Sequence, residues 1–300
     1  MEDLSFRRNL QLQYHIPFGT ELEITHFNIL KNLEQNNFAK LHIPHQVDIQ
    51  FKEQRKKDYS SWIFTYDPTV TKKGVGGEVI SPVSILAPSF LNDLEKLCTF
   101  LKTYGAQIDE SCSAHIHINF NAFLNKNIDC FKKFILILSY YEAELNRFFA
   151  GEEQDIRSLA ALNYAKSITD KLYFLDKKGL FTIQNWITFL EELKKMKKYV
   201  ALNVQYAKVS NEQNRNTVEF RTPNASLNPV ILENNIYFLL KIVEYCFNQS
   251  DWQDLYNKWK YEQLKPHREP EPQKVRTLSR TILTDKEDLK YFDWQYEQGS

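Results

Sequence analysis

The chain has 300 residues with 38 basic and 38 acidic side chains, so its formal net charge at pH 7 is zero. A balanced charge creates no long-range field that would gather nucleic acid or anionic lipid, which argues against both classes of partner. The amino-terminal sequence has no signal-peptide pattern, and no apolar run reaches the roughly 18 residues of a membrane span, so we expect a cytoplasmic protein. The four cysteines lie far apart without a C-x-x-C pair, which favours reduced core thiols.

Alternation of apolar and polar residues predicts strands at six places along the chain, each with one buried face. These places are residues 10–16, 47–51, 62–66, 116–120, 200–204 and 218–220. Their number and pattern favour one large antiparallel sheet.

Between these strands, apolar residues recur at the spacing of an α-helix. Apolar residues recur every three or four positions from Phe90 to Leu101, and the pattern stops at Tyr104-Gly105, a standard helix exit. A longer helix is predicted from about Asn127 to Phe149, and a largely buried one begins at Asn228-Pro229. Residues 155–196 look like a helical insertion, and the sequence leaves open whether it packs on the body or forms a lid.

The first chemically informative motif is the pair Glu21 and Glu23. Both carboxylates lie on one face of a predicted strand, because side chains alternate across the pleat. Two neighbouring carboxylates repel, so the pair is tolerable where a cation lies between them or where one of them holds a proton. The alternative for this motif is a solvated outer face.

The second motif places His115, His117 and Asn119 on one face of another strand. An H-x-H pair on a strand is a recurrent way to offer ligands to a divalent ion. The alternative is a pair of buried core histidines that only make hydrogen bonds.

Two further strands carry charged residues within apolar surroundings. Glu78 follows a glycine-bearing loop and stands in an otherwise apolar strand, where a carboxylate needs a partner. Glu219 and Arg221 share a strand face, although a Glu-x-Arg pair alone is commonly a surface ion pair. One sheet can bring all four motifs to a common surface. Carboxylates with histidine favour Mg²⁺ or Mn²⁺, and an arginine beside such ions suits a transferring phosphoryl group.

In this order the motifs resemble those of the amidoligase family, a branch of the glutamine synthetase-like carboxylate-amine ligases. The residues that carry the resemblance are Gly19–Glu23, Asp67–Val70 with Glu78–Pro82, Gly105–Asp109 with His115–His117, and Thr217–Arg221. The resemblance implies an α+β fold of the glutamine synthetase catalytic type, with a large curved, mostly antiparallel sheet and helices packed on its outer face. It also implies one catalytic domain over residues 1–263, followed by a linker and a tail over residues 264–300.

The resemblance further implies two sets of metal ligands. Glu23 and Glu78 would hold one divalent ion. Glu21, His115 and Glu219 would hold a second ion, which bridges the phosphates of ATP.

The remaining site residues receive roles from the same resemblance. Arg221 would stabilise the γ-phosphoryl group, and His117 and Asn119 would lie near the nucleotide. Asp67 would orient a ligand or a substrate amine, and Arg157 in the insertion would reach the substrate carboxylate.

The activity implied is the ATP- and Mg²⁺-dependent formation of an amide or isopeptide bond between a carboxylate and an amine, through an acyl phosphate. The amine would be an amino acid, a peptide or a small amine. Asn224 stands where glutamine synthetases have an acid, which disfavours ammonia. The alternatives are a metal-dependent hydrolase, a phosphotransferase, and a catalytically inactive binding protein of the same fold.

Overall fold

The computed structural model describes residues 4–41, 47–50, 60–67, 70, 75–151, 165–210, 216–262 and 270–298. Its centre is a seven-stranded sheet of order β2-β3-β4-β1-β5-β7-β6. The strands are β1 (Phe18–Thr25), β2 (Val47–Gln50), β3 (Trp62–Thr65), β4 (Gly76–Ile80), β5 (Ala114–Asn119), β6 (Leu202–Asn203) and β7 (Thr217–Phe220). All neighbouring strands are antiparallel except β2 and β3, so the prediction of an α+β protein with a mostly antiparallel sheet is confirmed.

Eleven α-helices accompany the sheet in the described part of the chain. They are α1 (Ile29–Glu34), α2 (Pro88–Thr103), α3 (Asn121–Leu124), α4 (Ile128–Tyr140), α5 (Glu142–Ala150), α6 (Ile168–Asp176), α7 (Trp186–Lys194), α8 (Pro229–Asn248), α9 (Gln253–Glu262), α10 (Pro272–Ile282) and α11 (Lys286–Gln298). Short 3₁₀ turns span Asn37–Lys40 and Leu180–Thr182. None of the helices described here has the length and apolar character needed to cross a bilayer.

One face of the sheet is apolar and packs against helices. The ring of Phe18 in β1 contacts that of Phe90 in α2, and the ring of Phe220 in β7 contacts that of Phe149 in α5, each with centroids 4.9 Å apart. Leu22 and Ile118 on the same face are also buried. Because successive side chains point to opposite faces, the residues between these apolar positions lie on the other face of the sheet.

The predicted strand at residues 10–16 is wrong. Leu10 and Ile16 are buried, which produces the alternation, but the segment lies outside the sheet. Its polar groups bind α8 instead: the Gln13 N–H donates to the Glu244 carboxylate, and the Tyr14 hydroxyl donates to Asn248. Packing of one side of a segment on a helix thus gives the same sequence pattern as a strand.

The long helix predicted from Asn127 to Phe149 is two helices, α4 and α5, separated at Tyr141. The described part of the predicted insertion packs against this junction. The Glu142 carboxylate accepts hydrogen bonds from the Ile168 N–H (2.8 Å) and the Thr169 hydroxyl (2.6 Å) at the start of α6. Residues 165–196 therefore pack on the body of the protein, while residues 152–164 lie outside the described part.

The tail helices α10 and α11 pack against α5 and α8. The ring of Phe292 stacks on that of Phe148 with centroids 4.7 Å apart. Gln295 is fully buried, and its amide donates to the Phe148 carbonyl (3.0 Å) and to Asn235 Oδ1 (2.6 Å). The described part of the tail therefore docks on this helical side, and the domain boundary at residues 263/264 stays a prediction.

Glycine at the start of β4 permits close approach of the neighbouring strands. A Cβ atom on Gly77 would lie 2.4 Å from the Thr65 carbonyl oxygen, a backbone atom that cannot move alone. We expect Gly77→Ala to lower the free energy of unfolding by about 2–3 kcal/mol, measured by urea denaturation. Gly19→Ala is the control, because a Cβ there meets only Ser81 Oγ at an ordinary 3.6 Å. Equal stability of the two variants would contradict this prediction.

Candidate functional site

The register of the sheet aligns the predicted site residues across four strands. The opposed pairs are Glu23–Glu78, Glu21–His115 and His117–Glu219. Directly opposed residues project to the same face of a sheet, and here it is the face opposite the one that packs on α2 and α5. The four motifs therefore meet on one surface.

Glu21 lies at the centre of this surface. Its carboxylate oxygens lie 3.2 Å from His115 Nδ1 and 3.2 Å from His117 Nε2. Burial by itself would raise the pKa of Glu21, but the two histidines outweigh burial and hold that pKa well below its ordinary value. Burial likewise opposes protonation of His117, yet Glu21 and then Glu219 raise the pKa of His117 to about 9. Glu21 and His117 therefore form a charged pair at neutral pH.

The acidic side of the site contains Glu78 and Glu23, both buried. Burial raises the pKa of Glu78 well above its ordinary value, and the nearby carboxylates of Glu21, Asp67 and Glu23 raise it further. Burial also raises the pKa of Glu23, against the opposing effects of His115 and of hydrogen bonds from Ser113. A proton on Glu78 thus relieves the repulsion among the acids.

Glu219 occupies the opposite side of the site and is buried. It pairs with the Arg221 guanidinium and accepts a 2.6 Å hydrogen bond from the Asn203 amide. Its Oε1 also lies 3.4 Å from His115 Nδ1. The backbone N–H of Arg221 donates to the Ala201 carbonyl at 2.8 Å, which holds the residues after β7 beside β6.

Within the described residues, one group of three side chains offers ligand atoms close enough to share a metal ion. These atoms, from Glu21, His117 and Glu219, all lie within 4.8 Å of one another. Nε2 of His117 is buried and lies 3.2 Å from Glu21 without a well-aligned hydrogen bond, so a cation could take the place of its proton. The second predicted ligand set contains His115 as its histidine, whereas this group contains His117. Nδ1 of His115 nevertheless faces the same two carboxylates, so its predicted role stays a prediction.

The donor set fits a hard divalent cation. Carboxylate oxygens with imidazole nitrogen suit Mg²⁺ or Mn²⁺. The two histidines stabilise the charge of Glu21, and the raised pKa values of Glu23 and Glu78 favour a retained proton, which a divalent ion would replace.

Other predicted site residues lie at the margins. Asp67 follows β3 and acts electrostatically on both Glu78 and Glu23. Asn119 ends β5, and its side-chain oxygen accepts the Asn121 N–H at 2.9 Å, so its amide also supports the turn into α3. Arg157 lies outside the described residues.

Sequence reasoning missed two buried polar residues that hold the acids in place. Ser113 binds Glu23 through its backbone N–H (2.6 Å) and its hydroxyl (2.7 Å), and Asn203 binds Glu219. The alternation of side chains along a strand was the signal available in the sequence. Ser113 lies two residues before His115, and Asn203 stands between two apolar residues of the strand predicted at residues 200–204.

Two residues beside the site belong to its scaffold. Cys112 is buried, and burial raises the pKa of its thiol to about 12, which suits a core thiol. Asn224 is buried, and its amide donates to the Ala150 carbonyl at 3.0 Å, so it ties the loop after β7 to the end of α5. That Asn224 disfavours ammonia as the amine substrate stays a prediction.

We expect the metal-free protein to lose stability as the pH rises from 6.5 to about 9. The stabilisation from His117 is complete below its ordinary pKa of 6.5 and is lost as the pH passes the raised pKa of about 9. The raised pKa values of Glu78 and Glu23 act in the same direction, because the folded state holds protons that the unfolded state releases above pH 4.5.

Melting curves in EDTA and in Mn²⁺ test this expectation. Mn²⁺ should stabilise the protein more at pH 9 than at 6.5, since metal binding competes with these protons. His117→Gln should flatten the pH dependence in EDTA. A metal-free wild-type protein whose Tm is constant or rises over this range would contradict the assignment.

The fold and the site together define an α+β protein in which one face of the sheet carries a cluster of carboxylates, histidines and an arginine. The sequence matches the family described as "Putative amidoligase enzyme" over residues 15–243. The chain belongs to this amidoligase family, and all four motifs lie within the matched region.

One solved structure similar to this chain is a glutamate–cysteine ligase from Francisella tularensis in complex with AMP. The alignment covers 96% of this chain and 82% of the ligase, with 12% sequence identity and a TM-score of 0.46. No curated protein sequence matches the chain.

Proposed function

We propose that this protein is an ATP- and Mg²⁺-dependent carboxylate-amine ligase that forms an amide or isopeptide bond through an acyl phosphate. The observation that carries the proposal is the convergence of Glu21, the two histidines, Glu219 and Arg221 on one face of the sheet. Membership of the amidoligase family supports the same reaction class. The adjacent carboxylates, histidines and arginine support a proposal of neighbouring positions for cations and for a phosphoryl group, which this chemistry requires.

The proposal includes two metal positions. Glu23 and Glu78 would hold one Mg²⁺, and Glu21 and Glu219 would hold the other together with His115. His117 borders the second position and would contact either the ion or the nucleotide. Bound ions supply charge neutralisation and alignment of the phosphates.

The nucleotide and the two substrates would approach the same face. Arg221 would contact the γ-phosphoryl group, because its planar fork meets two phosphate oxygens at once. Asn119 would lie near the nucleotide, Asp67 would orient the amine, and Arg157 would bind the substrate carboxylate.

The reaction proceeds in two transfers. A carboxylate oxygen of the substrate attacks the γ-phosphorus of ATP, which forms an acyl phosphate and releases ADP. The amine nitrogen then attacks the carbonyl carbon, loses a proton, and expels inorganic phosphate as the amide forms. The protein contributes position and electrostatic stabilisation in both transfers.

The test is ADP and phosphate release measured against a panel of amino acids, peptides and small amines, with mass spectrometry of the products. A ligase gives one ADP and one phosphate per product, whose mass is the sum of the substrates less one water. Product without ATP would indicate the hydrolase, and ADP without free phosphate would indicate the phosphotransferase. Binding of Mn²⁺ and ATP with no turnover across the panel would favour the inactive binding protein.

A further inference from the structure

The hydroxyl of Ser113 touches a ligand of each proposed metal position. Its Oγ lies 2.7 Å from Glu23 Oε2 and 3.0 Å from His115 Nε2, and all three residues are buried. Glu23 belongs to the first proposed set of ligands and His115 to the second.

The direction of these hydrogen bonds decides which nitrogen of His115 is free. A serine hydroxyl has one proton, and an ionised Glu23, the form that binds metal, can only accept it. The Ser113 oxygen must therefore accept from His115 Nε2–H. Nδ1, which hydrogen-bonds Glu21 at 3.2 Å and lies 3.4 Å from Glu219, is then the nitrogen at which a metal ion can replace a proton.

We infer that Ser113 is a positioning residue that couples the two metal positions, orienting Glu23 for one ion and fixing the His115 tautomer for the other. This inference rests on the proposed function, because it takes the two sets of ligands from it. Loss of an outer partner of this kind typically weakens metal binding by about 10- to 100-fold. Loss of Ser113 should weaken the binding of both ions, because its one oxygen contacts a ligand of each.

Asn203 provides a matched control within the same site. Its amide donates to Glu219 Oε2 at 2.6 Å, and Glu219 belongs only to the second set of ligands. Asn203→Ala should therefore weaken the binding of the second ion and leave the affinity for the first unchanged. Ser81→Ala controls for the loss of a buried hydroxyl, because Ser81 Oγ hydrogen-bonds backbone groups in the described residues, those of Thr20 and Pro82.

The experiment is a titration of the full chain with Mn²⁺ alone, in which electron paramagnetic resonance measures the concentration of the free ion. Wild type should bind two ions, Ser113→Ala should lose about 10-fold or more in affinity at both, and Ser113→Thr, which keeps the hydroxyl, should recover most of it. Melting curves confirm that each variant is folded.

A second measurement does not depend on the variants. Nitrogen NMR of ¹⁵N-histidine protein loaded with Mg²⁺ should show His115 protonated at Nε2 in wild type, and a proton at Nδ1 instead would overturn the inference. Unchanged affinities in Ser113→Ala, or weakening of one ion only, would also overturn it while the ligase proposal stands. A wild-type protein that binds no Mn²⁺ and turns over no ATP would remove the proposed function itself.

Discussion

Replacement of Arg221 by alanine is expected to lower kcat for ATP-dependent ligation by about 10³- to 10⁵-fold, the range over which an arginine at a transferring phosphoryl group accelerates such reactions. The guanidinium is largely buried on the site face and pairs with Glu219. Its backbone bond to the Ala201 carbonyl is kept in the variant, so the strand should remain in place. Steady-state ADP release and a melting curve measure the two effects separately.

Two controls sharpen this prediction. Arg221→Lys keeps the charge but lacks the planar fork, so it should recover only part of the lost rate. Arg8→Ala removes an arginine that is more than half exposed and paired with Glu95 of α2, and it should leave kcat unchanged. If the Arg221→Ala protein is folded and its kcat is within about tenfold of the wild-type value, Arg221 does not stabilise the phosphoryl group.

Glu21→Gln is the second substitution with a large expected effect. Glutamine preserves the shape of the side chain but removes the charge that faces His115 and His117 at the centre of the site. We expect ATP turnover to fall by at least about 10³-fold, or about 4 kcal/mol of transition-state stabilisation, together with loss of the second Mn²⁺. The pKa of His117 should also fall, because Glu21 is the main charge that raises it.

The matched control for this variant is Glu192→Gln in α7. Glu192 pairs with exposed Lys195 and lies outside the site, so its exchange should change neither Mn²⁺ affinity nor turnover. If Glu21→Gln binds both ions with wild-type affinity, the carboxylate is not a ligand and the proposed second metal position is wrong.

Local patterns predicted several elements well because local forces form them. Helix α2 is capped by Tyr104, and Gly105 follows with φ of +84°, the left-handed conformation that glycine adopts without strain. Helix α8 is capped at its start by Asn228, whose side chain accepts from the Val230 N–H, and Pro229 is its first residue. Caps and turns depend on neighbouring residues and are readable from the chain.

The two incorrect elements depend on distant contacts. Alternation at residues 10–16 comes from packing beside α8, more than 200 residues later in the chain, and a period of two does not identify the partner. The break at Tyr141 lies where Glu142 binds the start of α6, which belongs to another part of the sequence.

For the site, the sequence by itself determined which residue types occur and which of them share a strand face, because side-chain alternation is a local property of extended backbone. Only the tertiary structure decided that β1 lies between β4 and β5, with Glu21 opposite His115 and His117 opposite Glu219. Strand order and register depend on the packing of the whole apolar face against helices, and on the turns between strands. The contacts of Ser113 and Asn203 with the acids follow from that register, which is why they became visible only in the folded protein.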